Sequence, residues 1–384
     1  MASSFDQIID RRSTECIKWN VYDKDVLPMW VADMDFRSPE AVIQALRERV
    51  DHGVFGYPGD PFKLRETIVE RLYRLYDWKI SPEMIVFMPG VVTGFNLTCH
   101  AMAQPGKAIL MQVPVYFPFF GAPTNAGMVR QEYQLVQRAD GSYGIDFDAF
   151  EASFTDDTRI FMLCNPHNPV GRVFKRDELV KMAEICLKHD VLICSDEIHC
   201  DLIFKGHKHL PIASLSPEVA RSTVTLMAPS KTFNIAGLEC SFAVVENEAL
   251  RNKIQAARQG MVGGVNLMGQ VAALAAYEDG QDWLSEVLVY LEKNRDLICK
   301  TITEEIPELK VCAPEGTYLA WIDCRNAGLG DKPAEALVKQ ARVGMNEGAV
   351  FGKGGEGFVR MNFGCPTAYV EESLKRIRQA VHER

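Results

Sequence analysis

Short apolar runs recur along the chain between about residue 85 and residue 245. They lie at Ile85 to Met88, Ala108 to Gln112, Ile160 to Cys164, Val191 to Cys194, Val224 to Met227 and Ser241 to Val245. Helical or loop stretches separate most of them. Runs that are apolar throughout, without polar alternation, are typical of strands buried on both faces. The pattern therefore predicts a large α/β domain with a mostly parallel sheet covered by helices.

Helical patterns precede and follow this region. Ser38-Pro39-Glu40 predicts a helix that runs toward Gly53, with Ser38 as N-cap, and a second amphipathic helix is predicted from about Pro61 to Tyr76. The C-terminal part combines helices and short strands. Glu248 to about Glu305 is predicted to be mainly helical, with a break at Gly260 to Gly264. The elements predicted after it are strands at Lys310 to Cys312 and Tyr318 to Ile322, a helix near Pro333 to Ala341, a short pair of strands around Val350 and Phe358 to Asn362, and a last helix after Pro366. We predict an N-terminal segment (1–48) associated with a small α+β domain (286–384), and a large domain between them (49–285).

Composition excludes several classes of protein. The 384 residues suffice for two or three domain-sized units, and no tract is apolar enough to span a bilayer. A net charge of -9 argues against a nucleic-acid surface, which needs clustered cations. The acidic start and the 11 scattered cysteines predict a reduced, cytoplasmic protein.

Lys231 is the residue around which the candidate chemistry is arranged. It lies in Pro229-Ser230-Lys231, directly after the apolar run that ends at Ala228. A lysine at a strand end, partly desolvated and near other cations, can lose its proton near neutral pH and condense with an aldehyde. For this pair of residues alone, a surface lysine after a turn is the alternative.

Two more polar segments follow apolar runs, at the place where open α/β sheets bind ligands. Asp196 ends a buried run, and a buried acid needs a cationic partner such as a protonated pyridine nitrogen; a helix N-cap is the alternative. Asn168 lies in the segment Asn165 to Gly171, which turn chemistry also explains, and its amide could donate to a phenolate oxygen on a bound ring.

Other features suit an anionic, aromatic ligand. Gly90-Val91-Val92-Thr93 opens a helix whose free N–H groups can hold a phosphate, although an ordinary helix begins in the same way. Tyr116 follows a strand and could stack on a flat heterocycle or pack in the core. Tyr57 and Ser230 offer hydroxyl groups to phosphate. Arg360 is a lone cation in an apolar run, which indicates that its side chain binds a carboxylate.

Two further patterns predict no site. Gly352 to Gly357 has the G-x-G-x-x-G spacing of a dinucleotide loop, but an apolar strand-like run follows it instead of a helix. His199-Cys200 with His207 and His209 fits no standard zinc spacing, so no metal is predicted.

Together these segments resemble the pyridoxal-phosphate enzymes of the aspartate-aminotransferase fold over nearly the whole chain. More narrowly, the chain resembles the MalY/PatB group of cystathionine β-lyases, also called C-S lyases. The narrow signals are Phe5-Asp6, Ile9-Asp10-Arg11-Arg12, Lys18-Trp19-Asn20, Met29 to Phe36, Asp196-Glu197-Ile198-His199 and Glu315 to Trp321. His199 belongs to them because transaminases usually carry Tyr at that place.

The resemblance implies a mostly parallel, seven-stranded-type sheet with a smaller α+β domain, pyridoxal 5'-phosphate as cofactor, and a homodimer with shared active sites. It implies a catalytic set of Lys231 as the Schiff-base lysine, Asp196 on the pyridine nitrogen and His199 near the ring hydroxyl. The other implied contacts are Asn168 at the ring hydroxyl, Tyr116 on the ring face, Ser230 and the backbone of Gly90, Val91, Val92 and Thr93 on the phosphate, Tyr57 on the phosphate of the neighbouring subunit, and Arg360 with Ala32 on the substrate.

Two positions depart from the common transaminase pattern. That pattern has Ser three residues before the lysine and Arg eight residues after it, where this chain has Ala228 and Glu239. A glutamate would repel a phosphate dianion, so we expect Glu239 to point away or to pair with a cation. Loss of the arginine favours the lyase group over a generic transaminase.

The sequence thus predicts α,β-elimination from cystathionine or a related S-substituted cysteine, which yields a thiol, pyruvate and ammonia. One alternative is an aminotransferase, which shares the steps up to the carbanion. The other is a regulatory protein that keeps the fold as a binding module. We expect a small amino-acid substrate and a second copy of the chain as partners, and neither nucleic acid nor membrane.

Overall fold

A seven-stranded sheet forms the centre of the computed structural model, which describes residues 3–383. The strands are β1 Leu27–Pro28, β2 Ile85–Met88, β3 Ala108–Val113, β4 Val129–Gln134, β5 Val136–Gln137, β6 Tyr143–Gly144, β7 Thr158–Cys164, β8 Leu192–Asp196, β9 Thr223–Met227, β10 Ser241–Val244, β11 Lys310–Val311, β12 Leu319–Asp323, β13 Val343–Gly344, β14 Asn346–Glu347 and β15 Phe358–Asn362.

Helices cover the sheets and connect the strands. They are α1 Ile17–Asn20, α2 Glu40–His52, α3 Phe62–Tyr76, α4 Val91–Ala101, α5 Gly121–Asn125, α6 Phe147–Ala152, α7 Arg176–Lys188, α8 Pro217–Arg221, α9 Pro229–Thr232, α10 Glu248–Arg258, α11 Leu267–Asp279, α12 Gln281–Glu305, α13 Pro333–Ala341 and α14 Thr367–His382. Within the described range, none of them has both the length and the apolar composition that a bilayer span requires.

The large sheet has the strand order β2-β10-β9-β8-β7-β3-β4. Neighbouring strands are parallel except around β10, which runs antiparallel to both β2 and β9. The predicted mostly parallel sheet is confirmed, and each of the six apolar runs forms a strand within two residues of its predicted bounds. The edge strand β4 was missed because most of its residues are at least partly exposed, so it has no apolar run.

The first long helix does not begin as predicted. α2 begins at Glu40 with Pro39 as its N-cap, and no side chain caps it. Instead, the Ser38 hydroxyl donates to the carbonyl of Asn234 at 3.0 Å. The prediction of Ser38 as N-cap is therefore wrong, because a contact with a residue distant in sequence replaces the local one.

A smaller antiparallel sheet of order β11-β12-β15-β14 lies in the C-terminal part. The strand predicted around Val350 is wrong, because Val350 lies in a 3₁₀ helix and the strand is β14. Gly348 and Gly355 approach so closely there that a Cβ on Gly348 would lie 2.2 Å from the Gly355 carbonyl oxygen. The glycine-rich run is thus a tight loop that leads into β15.

The N-terminal segment lies against the C-terminal part of the chain. β1 pairs with β13 in parallel, and the Asp35 N–H donates to the Gly364 carbonyl at 2.8 Å. These contacts support our proposal that residues 1–48 associate with a small domain of residues 286–384. Residues 49–285 would form the large domain, and both boundaries would lie inside helices, α2 and α12.

Gly348→Ala tests the close approach that shapes the loop before β15. The added methyl group would overlap two carbonyl oxygens, those of Gly355 and Phe358. We expect the free energy of unfolding to fall by about 1–3 kcal/mol, measured as a lower thermal midpoint. Gly263→Ala is the control, because a Cβ there meets no atom within 4 Å. Equal midpoints for the two variants would contradict the close packing.

Candidate active site

A cavity of about 480 Å³ lies at the carboxyl ends of β7, β8 and β9. This is the ligand position in open α/β sheets, and the volume is typical of small-molecule sites. Most of the predicted site residues line it: Ala32, Gly90, Val91, Val92, Thr93, Tyr116, Asn168, Asp196, His199, Ser230 and Lys231. The structure thus brings together groups that are up to two hundred residues apart in sequence.

Lys231 lies in the short helix α9, which follows β9 and has Pro229 in its first turn. Its Nζ donates to the Ala32 carbonyl at 2.6 Å, and the Tyr318 hydroxyl donates to the same oxygen at 2.9 Å. Burial lowers the pKa of Lys231 to about 8; Asp33 opposes this shift, and the Arg360 charge adds to it. A useful fraction of the amine is therefore neutral near pH 7.

Asp196 ends β8 and is buried in the cavity wall. It accepts a hydrogen bond from the Ile198 N–H at 3.1 Å, and burial raises its pKa to about 7. The bond to Ile198 is a local turn contact and not a helix cap, because the residues that follow β8 form a turn. The carboxylate therefore suits a cationic ligand atom.

His199 is a neutral side chain in the same wall. Burial lowers its pKa to about 3, and the nearby Lys231 and Arg360 charges act in the same direction. Its Nδ1 is buried and has no hydrogen-bond partner among residues 3–383. The ring packs edge-on against Tyr318, with 5.9 Å between the centroids. His199 can therefore exchange a hydrogen bond with a ligand oxygen.

Arg360 lies directly behind the cavity lining, in the middle of β15. It donates to Asn168 Oδ1 at 2.9 Å, to Asn346 Oδ1 at 2.6 Å and to the Trp30 carbonyl at 3.1 Å. These bonds occupy the Asn168 oxygen, so its amide N–H remains the group that can donate to a ligand. Burial lowers the pKa of Arg360 to about 10, which leaves it charged at neutral pH.

The opposite end of the cavity suits an anion. Gly90 is the N-cap of α4, and the N–H groups of the first helical turn have no acceptor within the helix. Ser230 also lines the cavity. Glu239 also lines the cavity, but its side chain is exposed, so solvent screens its repulsion of an anion. The part of the chain that the structure describes provides no ion pair to Glu239.

Residues 30–36 carry Ala32 and are irregular, yet they are held from three directions. From the turn that follows α9, Asn234 exchanges hydrogen bonds with their backbone. From β15, Asn362 donates to two of their carbonyl groups. From the N-terminal arm, which we define as residues 3–26, Lys18 contacts the Asp35 carboxylate at 2.6 Å. These contacts therefore hold the Ala32 carbonyl, which accepts the hydrogen bond from Lys231, in a fixed position.

Tyr57 is the predicted site residue that lies apart. Its side chain is fully exposed and does not line the cavity of its own chain. Sequence reasoning also missed three residues that hold the site, namely Tyr318, Asn346 and Asn362. Asn362 lies on the same face of β15 as Arg360, two residues earlier, and this spacing could have identified it as a site residue. Asn346 has no such local signal.

The free polar groups of the cavity fit pyridoxal phosphate. The orphaned His199 Nδ1 suits the ring hydroxyl, the Asp196 carboxylate suits a protonated pyridine nitrogen, and the start of α4 suits the phosphate. Lys231 supplies an amine with a lowered pKa beside them. The donor set therefore matches this cofactor group by group.

Comparison with known proteins agrees with this chemistry. Residues 24–377 match the family model of class I and II aminotransferases. The chain is 41% identical to cystathionine β-lyase PatB of Bacillus subtilis strain 168, across 98% of this chain and 100% of PatB. A PLP-bound putative aminotransferase from Clostridium difficile 630 superposes with a TM-score of 0.96 at 41% identity, over 99% of this chain and 100% of the other. The PLP-bound C-S lyase from Staphylococcus hominis gives 0.94 at 33% identity, over 100% of both chains.

Lys18→Met tests how strongly the N-terminal arm is tied to residues 30–36. Lys18 and Asp35 are both almost inaccessible, at 1% and 3% exposure. Loss of one partner leaves a buried charge with less compensation, so we expect destabilisation by about 3–5 kcal/mol, read from thermal unfolding. The control is Lys24→Met, since Lys24 is exposed. The ion pair would be structurally unimportant if both variants unfolded at the same temperature.

Proposed function

Because the chain belongs to the aminotransferase class I and II family, we propose that it is a pyridoxal-phosphate-dependent carbon–sulfur lyase. It cleaves cystathionine or a related S-substituted L-cysteine to a thiol, pyruvate and ammonia. The observation that carries this proposal is the complete set of cavity residues around Lys231, in a chain so similar to cystathionine β-lyase PatB. His199, where transaminases usually have Tyr, supports the lyase over the aminotransferase.

Each cofactor contact is assigned to a residue of the cavity. When bound, pyridoxal phosphate supplies an aldehyde that takes up the substrate amine and a ring that withdraws electrons from the α-carbon. Asp196 holds a proton at the ring nitrogen, because its buried carboxylate is stabilised by a cation. Asn168, His199 and Tyr116 line the same cavity. The first two would hydrogen-bond the ring hydroxyl, and Tyr116 would cover the ring face.

The phosphate is bound at the start of α4. The backbone N–H groups of Gly90, Val91, Val92 and Thr93 and the Ser230 hydroxyl are the groups available within one chain. Both kinds of donor are neutral, so the helix dipole supplies the favourable field in this chain.

Lys231 carries the protons of the reaction. Its amine, with a pKa of about 8, takes the α-proton of the substrate. The bond between the β-carbon and sulfur then breaks with its electron pair on sulfur, and Lys231 returns the proton to the thiolate. Addition of one water to the remaining three-carbon fragment yields pyruvate and ammonia, so the atoms balance.

Arg360 and Ala32 orient the substrate. Three hydrogen bonds fix the Arg360 guanidinium before any ligand arrives, and its buried Nε still lacks a partner in the described chain. A substrate carboxylate bound there would fix the orientation of the α-carbon, and so would select which of its bonds breaks. Ala32 lines the cavity two residues after Trp30, whose carbonyl binds Arg360, and Ala32 would contact the substrate.

A homodimer completes the site in this proposal. Exposed apolar side chains cluster around Tyr57, at Val54, Phe55 and Phe62. Such a patch marks an interaction surface. A second copy that covers this surface would bring Tyr57 to the phosphate of the neighbouring site. We also propose a cytoplasmic location, because the 11 scattered cysteines suit a reducing compartment.

The lyase reaction can be tested directly on protein loaded with pyridoxal phosphate. With L-cystathionine and no 2-oxo acid, we expect pyruvate and free thiol in equal amounts, because elimination releases both in one turnover. Lys231→Ala should abolish both products. No pyruvate, but consumption of L-cystathionine once a 2-oxo acid is supplied, would replace the lyase with an aminotransferase. No turnover in either assay would indicate an unusual substrate or a regulatory role.

Shared active sites can be tested by mixing two inactive homodimers, Lys231→Ala and Tyr57→Ala. After dissociation and reassociation, half of the dimers are hybrids, and each hybrid has one site with both residues intact. We expect recovery of about a quarter of the wild-type activity, measured as pyruvate release. No recovery from a mixture whose hybrids are detected by mass spectrometry would contradict the placement of Tyr57 in the neighbouring site.

A further inference from the structure

We propose that Asp33 is a positioning residue for Lys231, and that Arg11 and Lys18 of the N-terminal arm hold its carboxylate for that task. The arm thereby sets the proton affinity of an amine more than two hundred residues away in sequence. This inference rests on the proposed role of Lys231 as the proton carrier.

The first step of the argument is the contact between Lys231 and residues 30–36. The lysine Nζ donates to the Ala32 carbonyl at 2.6 Å, and Asp33 is the next residue in the chain. Because Ala32 lies in no regular element, side chains have to hold its carbonyl in place. Any displacement of Asp33 therefore also moves the acceptor of Lys231.

The second step is the arrangement of charges around Asp33. Arg11 donates to both of its carboxylate oxygens, at 2.7 Å and 3.2 Å, and Lys18 lies 3.5 Å from one of them. The same two cations contact Asp35, each at 2.6 Å. Two cations and two carboxylates thus form a neutral cluster. Loss of any one member leaves a net unit charge next to the site.

The third step is the electrostatic effect on Lys231. Burial lowers the pKa of its amine, and the Asp33 carboxylate opposes that shift. The charged and titratable side chains around the amine are Asp33, Tyr116, Asp196, His199, Glu239, Tyr318 and Arg360. Tyr318 donates to the same carbonyl as the amine and stays neutral, because burial raises its pKa. Two thiols in the same cavity, Cys164 and Cys240, stay neutral because burial raises their pKa.

Asp33 differs from these groups in its position outside the cofactor contacts. Asp196 has the ring nitrogen as its proposed partner, and Arg360 has the substrate carboxylate. Asp33 does not line the cavity, and its partners are the two cations of the N-terminal arm. It therefore remains available to favour the protonated amine when the other charges are paired with ligands.

The cluster predicts shifts of opposite sign for two variants. Asp33→Asn leaves an excess positive charge, which disfavours the ammonium form and lowers the pKa of Lys231. Arg11→Gln leaves an excess negative charge, which favours the ammonium form and raises that pKa. If Asp33 and Arg11 only stabilised the fold, both substitutions would loosen residues 30–36. The pKa of Lys231 would then shift in the same direction in both variants.

The experiment measures the reactivity of Lys231 in the full chain without cofactor. Limited acylation with acetic anhydride between about pH 6 and pH 10, read by mass spectrometry of the peptide that contains Lys231, yields the titration midpoint. We expect a decrease of at least about half a pH unit in Asp33→Asn and an increase of similar size in Arg11→Gln. Asp25→Asn is the matched control, since it removes the same charge from an exposed ion pair with Arg342.

Charge-preserving variants provide a second measurement if Asp33→Asn or Arg11→Gln folds poorly, as judged by circular dichroism. Asp33→Glu and Arg11→Lys preserve the charges, so their midpoints should equal that of the wild type. Shifts of the same sign in both neutral variants, no shift in either, or a shift in the charge-preserving variants would overturn the inference. Because labelling requires no turnover, these outcomes are independent of whether the protein cleaves cystathionine.

Discussion

The buried ion pair between Lys18 and Asp35 is the constraint on which the site depends. A buried pair is stable only while both partners are present, so it allows one arrangement of the chain around it. That arrangement fixes residues 30–36, whose carbonyl groups accept hydrogen bonds from Lys231 and Arg360. The geometry at the carboxyl ends of the central strands is therefore set partly by a segment that belongs to neither sheet.

Burial is the common cause of the unusual chemistry of the cavity. It disfavours charge whatever the sign, so it lowers the pKa of Lys231 and His199 and raises the pKa of Asp196. Three ordinary side chains thereby become a base that is partly free near neutral pH, a neutral imidazole, and an acid that needs a cation.

The anion end of the cavity differs from the common transaminase pattern in a way that the fold tolerates. Glu239 stands where that pattern has arginine, but its side chain is exposed to solvent, which screens its charge. The start of α4 and Ser230 offer neutral donors at the same place. In our proposal, phosphate affinity in this chain therefore depends on oriented N–H and O–H groups and on the neighbouring subunit.

Sequence patterns were sufficient to predict the buried strands and the strand-end positions of Asp196 and Lys231. A run of apolar residues already specifies burial on both faces, and the parallel topology places the strand ends together. The tertiary structure alone decided that β4 forms an exposed edge, that Ser38 bonds Asn234 instead of capping α2, and that Asn346 holds Arg360. No local periodic pattern predicts the pairing of an edge strand or a contact between side chains distant in sequence. Such partners come together only when the whole chain packs.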